Sequence, residues 1–240
     1  MLILGIETAT PQVGCAIGGH EGVLASFHAA RGRRHAETLA PAIDFIRRQA
    51  RVELDEIGAV VADVGPGLFT GLRVGVVTAK ALAMALRVPV IGVSSLDLLA
   101  FPVRWTHRRI VSVVDARRGE VFYGFYRQVP GGVQRLSEQR LGDPEALCSE
   151  ILATGEECLA VGDGALRYAE QLQELIRVEV GEAGLAYPSA GSLVQLAHAR
   201  ALREEFINPW ELAPVYLRKA DAEINWSTRE QAPPQPGPVV

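Results

Sequence analysis

The stretch GPGLFTGLRVG, residues 65 to 75, lies between two apolar segments whose patterns differ. Residues 58 to 64, GAVVADV, form a short run of β-favouring side chains, which is typical of a buried strand. Residues 72 to 86 are rich in Ala and Val and contain no Pro, which indicates a buried helix. A strand that turns through glycines into a helix is characteristic of α/β proteins, so this stretch predicts that fold class.

The segments on the N-terminal side extend this pattern. Three β-rich runs with a glycine turn between the second and third predict a meander, and the helix that follows has Leu39, Ile43 and Ile46 at helical spacing. Because hairpins then give way to crossovers through helices, we expect one mixed sheet covered by helices. The predicted elements of this half are residues 2–8, 13–19, 22–29, 35–51, 58–64, 72–86 and 88–95.

The C-terminal half predicts a second sheet. IVSVVDARRGEVFYGFYRQV, residues 110 to 129, has the pattern of two strands joined by a turn at residues 117 to 119. Asp143 followed by Pro144 predicts a helix start with the aspartate as its cap. The remaining predictions are a strand at residues 158–164, a helix at residues 189–205 and a disordered tail at residues 231–240.

The composition indicates a soluble, cytoplasmic protein of one large or two modest domains. No apolar run approaches the roughly 20 residues of a membrane helix, and the three cysteines match no metal-binding spacing. The opening MLILGIETAT predicts a first strand rather than an export signal. A formal charge of -4 opposes general RNA binding. Local arginine clusters are typical of solvated faces or subunit contacts, with nucleic-acid contact as the alternative; they occur at Arg31, Arg33, Arg34, Arg108, Arg109, Arg117 and Arg118.

Carboxylates follow several of the predicted strands, at the positions where nucleotide and metal sites lie in this architecture. Glu7 with Thr8, Asp63 and Asp115 are the candidates, although Glu7 and Asp63 could instead cap or pair locally. No catalytic triad or paired-histidine motif accompanies them, so we predict no catalytic residue and no metal site. His35 is predicted to be a capping or surface residue.

The glycine-rich turn admits two interpretations. Its backbone amides could hold a phosphate at the start of the helix, although Gly71 is followed by Leu72 and Arg73 rather than by the Lys and hydroxyl residue of a Walker loop. Alternatively it is only a tight turn, with Thr70 as the helix cap.

The helix after this turn carries a stripe of small residues. They recur every four positions, so another backbone could approach the helix closely along this side. The stripe therefore predicts either a docking surface or packing on the chain's own sheet, and both remain open. Its members are Gly71, Gly75, Ala79 and Ala83.

Several motifs together resemble the TsaB family, also called YeaZ, over most of the chain. The most specific is GPG-x-FTGLR-x-G followed by AKALA; the others are MLILGIETAT, GRRHAETLAPAI, VIGVSSLDLLA, DARRGEVFYGFY, VGDGA and APVYLR. Two positions depart from the usual family form, with Leu68 in place of Ser and Glu7 in place of Asp.

The resemblance implies an actin-like ATPase fold (ASKHA, ribonuclease H-like) with two related lobes. We expect residues 1–105 with 206–230 to form the first lobe and residues 106–205 the second. In the family's catalytic sister, TsaD, a His-x-x-x-His metal pair falls where this chain has Ser95 and Leu99. Since leucine cannot coordinate a cation, the resemblance implies a subunit that is not an enzyme by itself.

The same resemblance implies partners and sites. TsaD is the expected partner, in a heterodimer through helices 35–51 and 70–87, and TsaE is expected as a further component. The chain is expected to reach tRNA only through the complex. When the chain is alone, a homodimer is possible. The expected interface residues are His35, Leu39, Ile43, Gly71, Gly75, Ala79 and Ala83. We expect no tightly bound cofactor. ATP or ADP with magnesium could bind in the shared complex, beside Glu7, Thr8, Gly65, Gly67 and Thr70.

Two other functions remain open at this stage. A small-molecule kinase or ATPase of the same fold would bind magnesium-ATP through Glu7, Thr8 and the glycine-rich turn. A direct tRNA carrier would show salt-sensitive RNA binding by the isolated chain.

Overall fold

The computed structural model describes residues 1–30 and 34–218, in which two sheets are the main features. The first sheet has five strands in the order β3-β2-β1-β4-β5, with β1 antiparallel to β2 and parallel to β4. Its strands are β1 (Leu2–Glu7), β2 (Val13–Gly19), β3 (Gly22–Ala29), β4 (Ile57–Gly65) and β5 (Val90–Ser94).

Helices cover both faces of the first sheet. On one face lie α1 (His35–Ala50) and α2 (Phe69–Leu86), whose apolar residues share a core with β1, β2 and β4. On the other face lies α7 (Ala190–Ala201), which packs mainly on β1 and β2. Because both faces are covered, β1 and β4 read as nearly continuous apolar runs.

The second sheet is built around the predicted hairpin. β6 (Arg109–Arg117) and β7 (Glu120–Val129) meet at a turn where Arg118 and Gly119 both have positive φ. The strand order is β11-β10-β6-β7-β8, with β9 also pairing with β7. The other strands are β8 (Gly132–Arg135), β9 (Arg140–Gly142), β10 (Cys158–Val161) and β11 (Val178–Val180).

Three helices accompany the second sheet: α4 (Pro144–Thr154), α5 (Asp163–Arg167) and α6 (Ala169–Gln173). They share a core with one face of that sheet. The Asp143 carboxylate accepts a hydrogen bond from the N–H of Ala146 at 2.7 Å, so the predicted cap of α4 is confirmed.

Two segments connect the sheets. The short helix α3 (Ser95–Ala100) follows β5 directly and inserts Leu96 and Leu99 against the remaining face of the second sheet. The second connection is residues 207–218, here called the crossing segment, which runs from β5 to the hairpin of β6 and β7.

The predicted strands and helices of the first half are confirmed, but the expected lobe boundary is wrong. α7 lies within the range 106–205 assigned to the second lobe, yet it packs on the first sheet, because its apolar face fits the side of β1 and β2 that α1 and α2 leave uncovered. The predictions for Arg31, Arg33 and residues 231–240 fall outside the described residues.

Candidate functional site

The glycine-rich turn after β4 is a tight turn packed on the end of β1. Gly65 has φ of 99°, and its N–H donates to the Asp63 carboxylate at 2.8 Å. The N–H of Leu68 donates to the carbonyl of Ala9 at 2.7 Å, and a Cβ on Gly67 would collide with that same carbonyl. The turn therefore uses these two N–H groups within the chain.

The predicted capping role of Thr70 is wrong. Leu68 is the residue before α2, and Thr70 already lies in the first turn of the helix with its side chain exposed. A threonine hydroxyl does contact the backbone of this turn, but it belongs to Thr8, after β1, and it donates to the carbonyl of Gly71 at 2.8 Å.

Glu7 and Thr8 are completely buried at the end of β1. The Glu7 carboxylate accepts from the N–H of Ala9 at 2.9 Å and, more weakly, from the Gln12 side chain at 3.4 Å. Gln12 also donates to the carbonyl of Pro188 at 2.8 Å, which closes the end of the strand. Glu7 thus bonds locally, as the more conservative interpretation of the sequence predicted.

Asp63 lies beside Glu7 at the end of the neighbouring strand. One carboxylate oxygen accepts from Gly65 and from the Ser95 hydroxyl at 2.6 Å, while the other is buried without a hydrogen-bond partner among the described residues. Burial raises the pKa of Asp63 to about 7. Burial, and then the charge of Asp63, raise the pKa of Glu7 well above its usual value.

The structure brings the predicted nucleotide residues together but does not expose them all. Glu7, Thr8 and Gly65 are buried, Gly67 is half-buried and Thr70 is exposed. A nucleotide at Glu7 and Thr8 would have to displace their present partners, so binding there stays a prediction. Among residues 1–30 and 34–218, no three His, Cys, Asp or Glu side chains are grouped so that they could hold a metal ion.

The second sheet has a carboxylate pair that the sequence analysis only half identified. The Asp115 carboxylate accepts from Arg117 at 2.7 Å and from Arg167 at 2.9 Å, and the Asp115 N–H donates to Asp163. Burial raises the pKa of Asp163 to about 6. The position of Asp163 after the apolar strand of VGDGA was the available signal, since carboxyl ends of parallel strands gather at one edge.

The small-residue stripe of α2 faces the chain's own first sheet. A Cβ on Gly71 would collide with the carbonyl of Thr8, a Cβ on Gly75 would collide with the Thr8 hydroxyl, and Ala79 and Ala83 belong to the core. Of the two interpretations of the stripe, packing on the chain's own sheet is therefore correct. The prediction that these four residues form an interface with a partner is wrong, because they already pack closely against β1 and the residue that follows it.

The expected interface residues of α1 are also internal. Leu39 and Ile43 pack in the core, and His35 is buried with its Nε2 atom 2.8 Å from the carbonyl oxygen of Thr10. His35 is therefore neither a surface residue nor an interface residue in this chain. The apolar residues whose spacing identified the helix lie on the side of the helix that packs on the sheet, so they cannot also form an interface.

The opposite side of α2 is the exposed one, and it is unusually apolar. We call Phe69, Arg73, Val77, Ala81 and Met84 the outward face of α2; Val77 is 63% exposed. By length and composition, α2 is the one helix in the described part of the chain that could cross a membrane. In this fold, however, one side of α2 packs on a sheet. The signal that the sequence analysis missed is that both sides of the helix are apolar.

The chain's similarity to known proteins agrees with this architecture. A family model described as TsaD, tRNA N6-adenosine threonylcarbamoyltransferase, matches residues 23–226. The Bacillus subtilis protein named tRNA threonylcarbamoyladenosine biosynthesis protein TsaB is 29% identical over 232 residues, which cover 94% of this chain and 98% of the relative.

Solved structures give the same result. YeaZ from Pseudomonas aeruginosa superposes with a TM-score of 0.75 at 26% identity, covering 90% of this chain and 99% of that one. Component A of (R)-2-hydroxyglutaryl-CoA dehydratase from Acidaminococcus fermentans, at 12% identity and a TM-score of 0.50, covers 84% of this chain and 99% of its own and shares the fold alone. The fold is thus the predicted actin-like ATPase fold, and the chain belongs to the TsaD family of tRNA N6-adenosine threonylcarbamoyltransferases, within which it groups with the TsaB (YeaZ) proteins.

Proposed function

We propose that this chain is a non-catalytic subunit that acts with TsaD and TsaE in the transfer of a threonylcarbamoyl group to the anticodon-adjacent adenosine of tRNA. A role in tRNA threonylcarbamoyladenosine biosynthesis follows from its family and relatives. The contribution of this chain is a docking surface for TsaD in the cytoplasm, and tRNA is reached through the assembled complex.

One observation carries the non-catalytic role: core packing occupies the positions where the catalytic sister holds its metal. By resemblance, those positions are Ser95 and Leu99. The Ser95 hydroxyl donates to the Asp63 carboxylate, and the side chain of Leu99, in α3, packs against the second sheet. A hydroxyl already committed to a carboxylate and a buried leucine supply no ligands for a catalytic cation.

The docking surface that we propose lies on the outward sides of α1 and α2. These helices lie side by side on one face of the first sheet, and their outer residues include Phe45, which is 53% exposed, and the outward face of α2. Exposed apolar side chains on adjacent helices are typical of protein interfaces. When TsaD is absent, the same surface is available to a second copy of this chain.

We assign any nucleotide, as ATP or ADP with magnesium, to the shared complex rather than to this chain alone. A kinase or ATPase built on this chain would need Glu7 and Thr8 at the nucleotide, whereas both are completely buried and hydrogen-bonded internally. Calorimetry with magnesium-ATP on the isolated chain should therefore give no micromolar signal.

The docking surface is tested by Ala81→Arg. Ala81 is exposed on the outward face of α2, so the variant should fold normally but place a charge in the interface. We expect it to weaken the complex with TsaD at least 100-fold, about 2.7 kcal/mol, as measured by calorimetry. Modified adenosine in a reconstituted reaction with TsaD, TsaE, tRNA and the threonylcarbamoyl donor should fall accordingly.

Ala199→Arg is the matched control. Ala199 is an exposed alanine of α7, on the opposite face of the first sheet, so an arginine there should change neither TsaD binding nor modification. If the reconstituted reaction ran equally well without this chain, the proposed function would be wrong. If Ala81→Arg bound TsaD like the parent chain, the proposed surface would be wrong.

A further inference from the structure

The crossing segment lies along the edge of α2 and leaves its aromatic side chains in solvent. The Lys80 ammonium of α2 donates to the carbonyls of Trp210 and Leu212, both at 3.1 Å, and Leu212 enters the core of the first sheet. Trp210 nevertheless has a side chain that is 70% exposed. The backbone is thus anchored on both sides of a large apolar group that this chain does not bury.

The backbone around Trp210 is held in a defined turn. Its N–H donates to the Asn208 side chain at 3.0 Å, and the N–H of Glu211 donates to the Asn208 carbonyl at 2.9 Å. An exposed tryptophan on a fixed backbone loses little conformational entropy when a partner covers it. This is the arrangement expected of an interface anchor rather than of a loosely attached surface residue.

Tyr216 forms a second aromatic position at the other end of α2. Its ring lies 5.2 Å from the ring of Phe69, and its hydroxyl accepts from Arg73 at 3.2 Å. The Arg73 guanidinium also lies 3.9 Å from the centroid of the Phe69 ring. Since Phe69 and Arg73 belong to the outward face of α2, the crossing segment and that face form one continuous surface.

The charges around this surface indicate the kind of partner it fits. α2 contains no acidic residue, and its basic residues Arg73 and Lys80 lie on the side that the crossing segment follows. A surface facing these groups is most favourable if it is apolar with carboxylates at its rim. Glu211 is the one acidic residue of the crossing segment, against Arg73, Lys80 and Arg218, so a second copy of the same region would oppose a net positive charge and is the less favourable partner when TsaD is present.

We infer that the crossing segment is the second half of the TsaD-docking surface, with Trp210 and Tyr216 as its aromatic anchors against an apolar, acid-rimmed patch of TsaD. This inference rests on the proposed function. The crossing segment also links the docking surface to the second lobe, because the Arg218 guanidinium at its end donates to the Ala116 carbonyl and to the Glu120 carboxylate.

The test compares two exposed tryptophans. Trp210→Ser should weaken the complex with TsaD at least 10-fold in calorimetry, the range expected when an interface anchor is truncated. Trp105→Ser is the matched control: Trp105 is 69% exposed but lies beyond α3, stacked on Arg104, so TsaD affinity should not change. Thermal melts of both variants establish that the fold is intact.

Hydroxyl-radical footprinting gives a second measurement that does not depend on a mutation. In the parent chain, TsaD should protect the peptides carrying Trp210 and Tyr216 and leave Trp105 reactive. If Trp210 remains unprotected and Trp210→Ser binds normally while Ala81→Arg abolishes binding, this inference is overturned and the proposed function stands. If Ala81→Arg also binds normally, the docking surface itself is wrong. Equal weakening by both tryptophan variants also overturns the inference.

Discussion

Asp63 and Glu7 lie in an environment that is unusual for carboxyl groups. Both carboxyl groups are buried side by side at the ends of β1 and β4, and Asp63 has one oxygen without a partner among the described residues. A buried carboxyl group with raised pKa keeps its proton to a higher pH than the same group in the unfolded chain.

This difference predicts that the stability of the protein falls as pH rises. Between the ordinary value of 3.8 and about 7, folded Asp63 holds a proton that the unfolded chain has released. The unfolded state then binds fewer protons, so the free energy of unfolding decreases with rising pH, by about 1.4 kcal/mol for each unit that separates the two pKa values. Urea titrations from about pH 4.5 to about pH 8 should show the decrease.

Asp63→Asn should reduce this slope, because the amide keeps an oxygen for Gly65 and Ser95 but has no proton to lose. The slope should not vanish, since burial also raises the pKa of Glu7 and that of Asp163. Asp55→Asn, at an exposed position, should leave the slope unchanged. A slope for Asp63→Asn equal to that of the parent chain would show that Asp63 does not hold its proton in this range.

At the residue scale, the sequence predicted the positions of the carboxylates but not how deeply they are buried. Strand-end positions identified Glu7 and Asp63, which lie side by side in the first sheet, and Asp115, which belongs to a separate pair with Asp163 in the second sheet. Their complete or nearly complete burial depends on partners far away in the chain, such as Ser95 for Asp63 and Pro188, which Gln12 links to Glu7. A pattern of neighbours along the sequence contains no information about such contacts.

At the scale of elements, α2 is the most informative because both of its sides are apolar. Composition identified the helix and its C-terminal end, although the helix begins at Phe69 rather than at Leu72, and the small-residue stripe correctly indicated that some backbone comes close. The sequence could not say whether that backbone belongs to this chain or to a partner. The structure assigns it to β1, where the carbonyl of Thr8 faces Gly71 directly.

Gly71→Ala measures this close approach. Alanine normally stabilises a helix over glycine by about 1 kcal/mol, yet here its Cβ would collide with the Thr8 carbonyl and break the hydrogen bond between the Thr8 hydroxyl and Gly71. We expect a net loss of about 1 to 3 kcal/mol in the free energy of unfolding, measured by urea titration.

Gly191→Ala in α7 is the comparison, because a Cβ there makes only ordinary contacts, with Val23 and Ser189. It should leave the stability unchanged or raise it slightly, in line with helix propensity. Equal effects of the two substitutions would mean that α2 does not approach β1 as closely as described.

At the scale of the whole molecule, the two lobes are joined more extensively than the sequence suggested. Alternation of strand and helix predicted two sheets, but it could not show that α3 packs on the second sheet or that α7 returns to the first. Both helices are apolar on the side they bury, and several faces could accept such a side. Only the assembled sheets determine which one does.

Asp97 of α3 is the ionic centre of this joint. Its carboxylate accepts from Arg135 of the second sheet at 2.6 Å and lies 3.5 Å from Arg200 of α7. The Tyr126 hydroxyl also donates to it at 2.9 Å. Arg200 in addition donates to the carbonyl of Gly92 in β5, at 2.7 Å. One largely buried carboxylate therefore contacts basic groups from both lobes.

A double-mutant cycle on Asp97 and Arg135 should show that this contact joins the lobes. Asp97→Asn should cost about 1 to 3 kcal/mol, because it leaves Arg135 and Arg200 without their shared charge, and Arg135→Gln should cost less once Asp97 is already changed. A coupling energy above about 0.5 kcal/mol in urea titrations would support a direct tie. Arg203→Gln, at an exposed pair with Glu205, should show no coupling to Asp97→Asn. Strict additivity for Arg135 would mean that this ion pair contributes nothing to the joint, which the apolar packing of α3 and the crossing segment would then hold together.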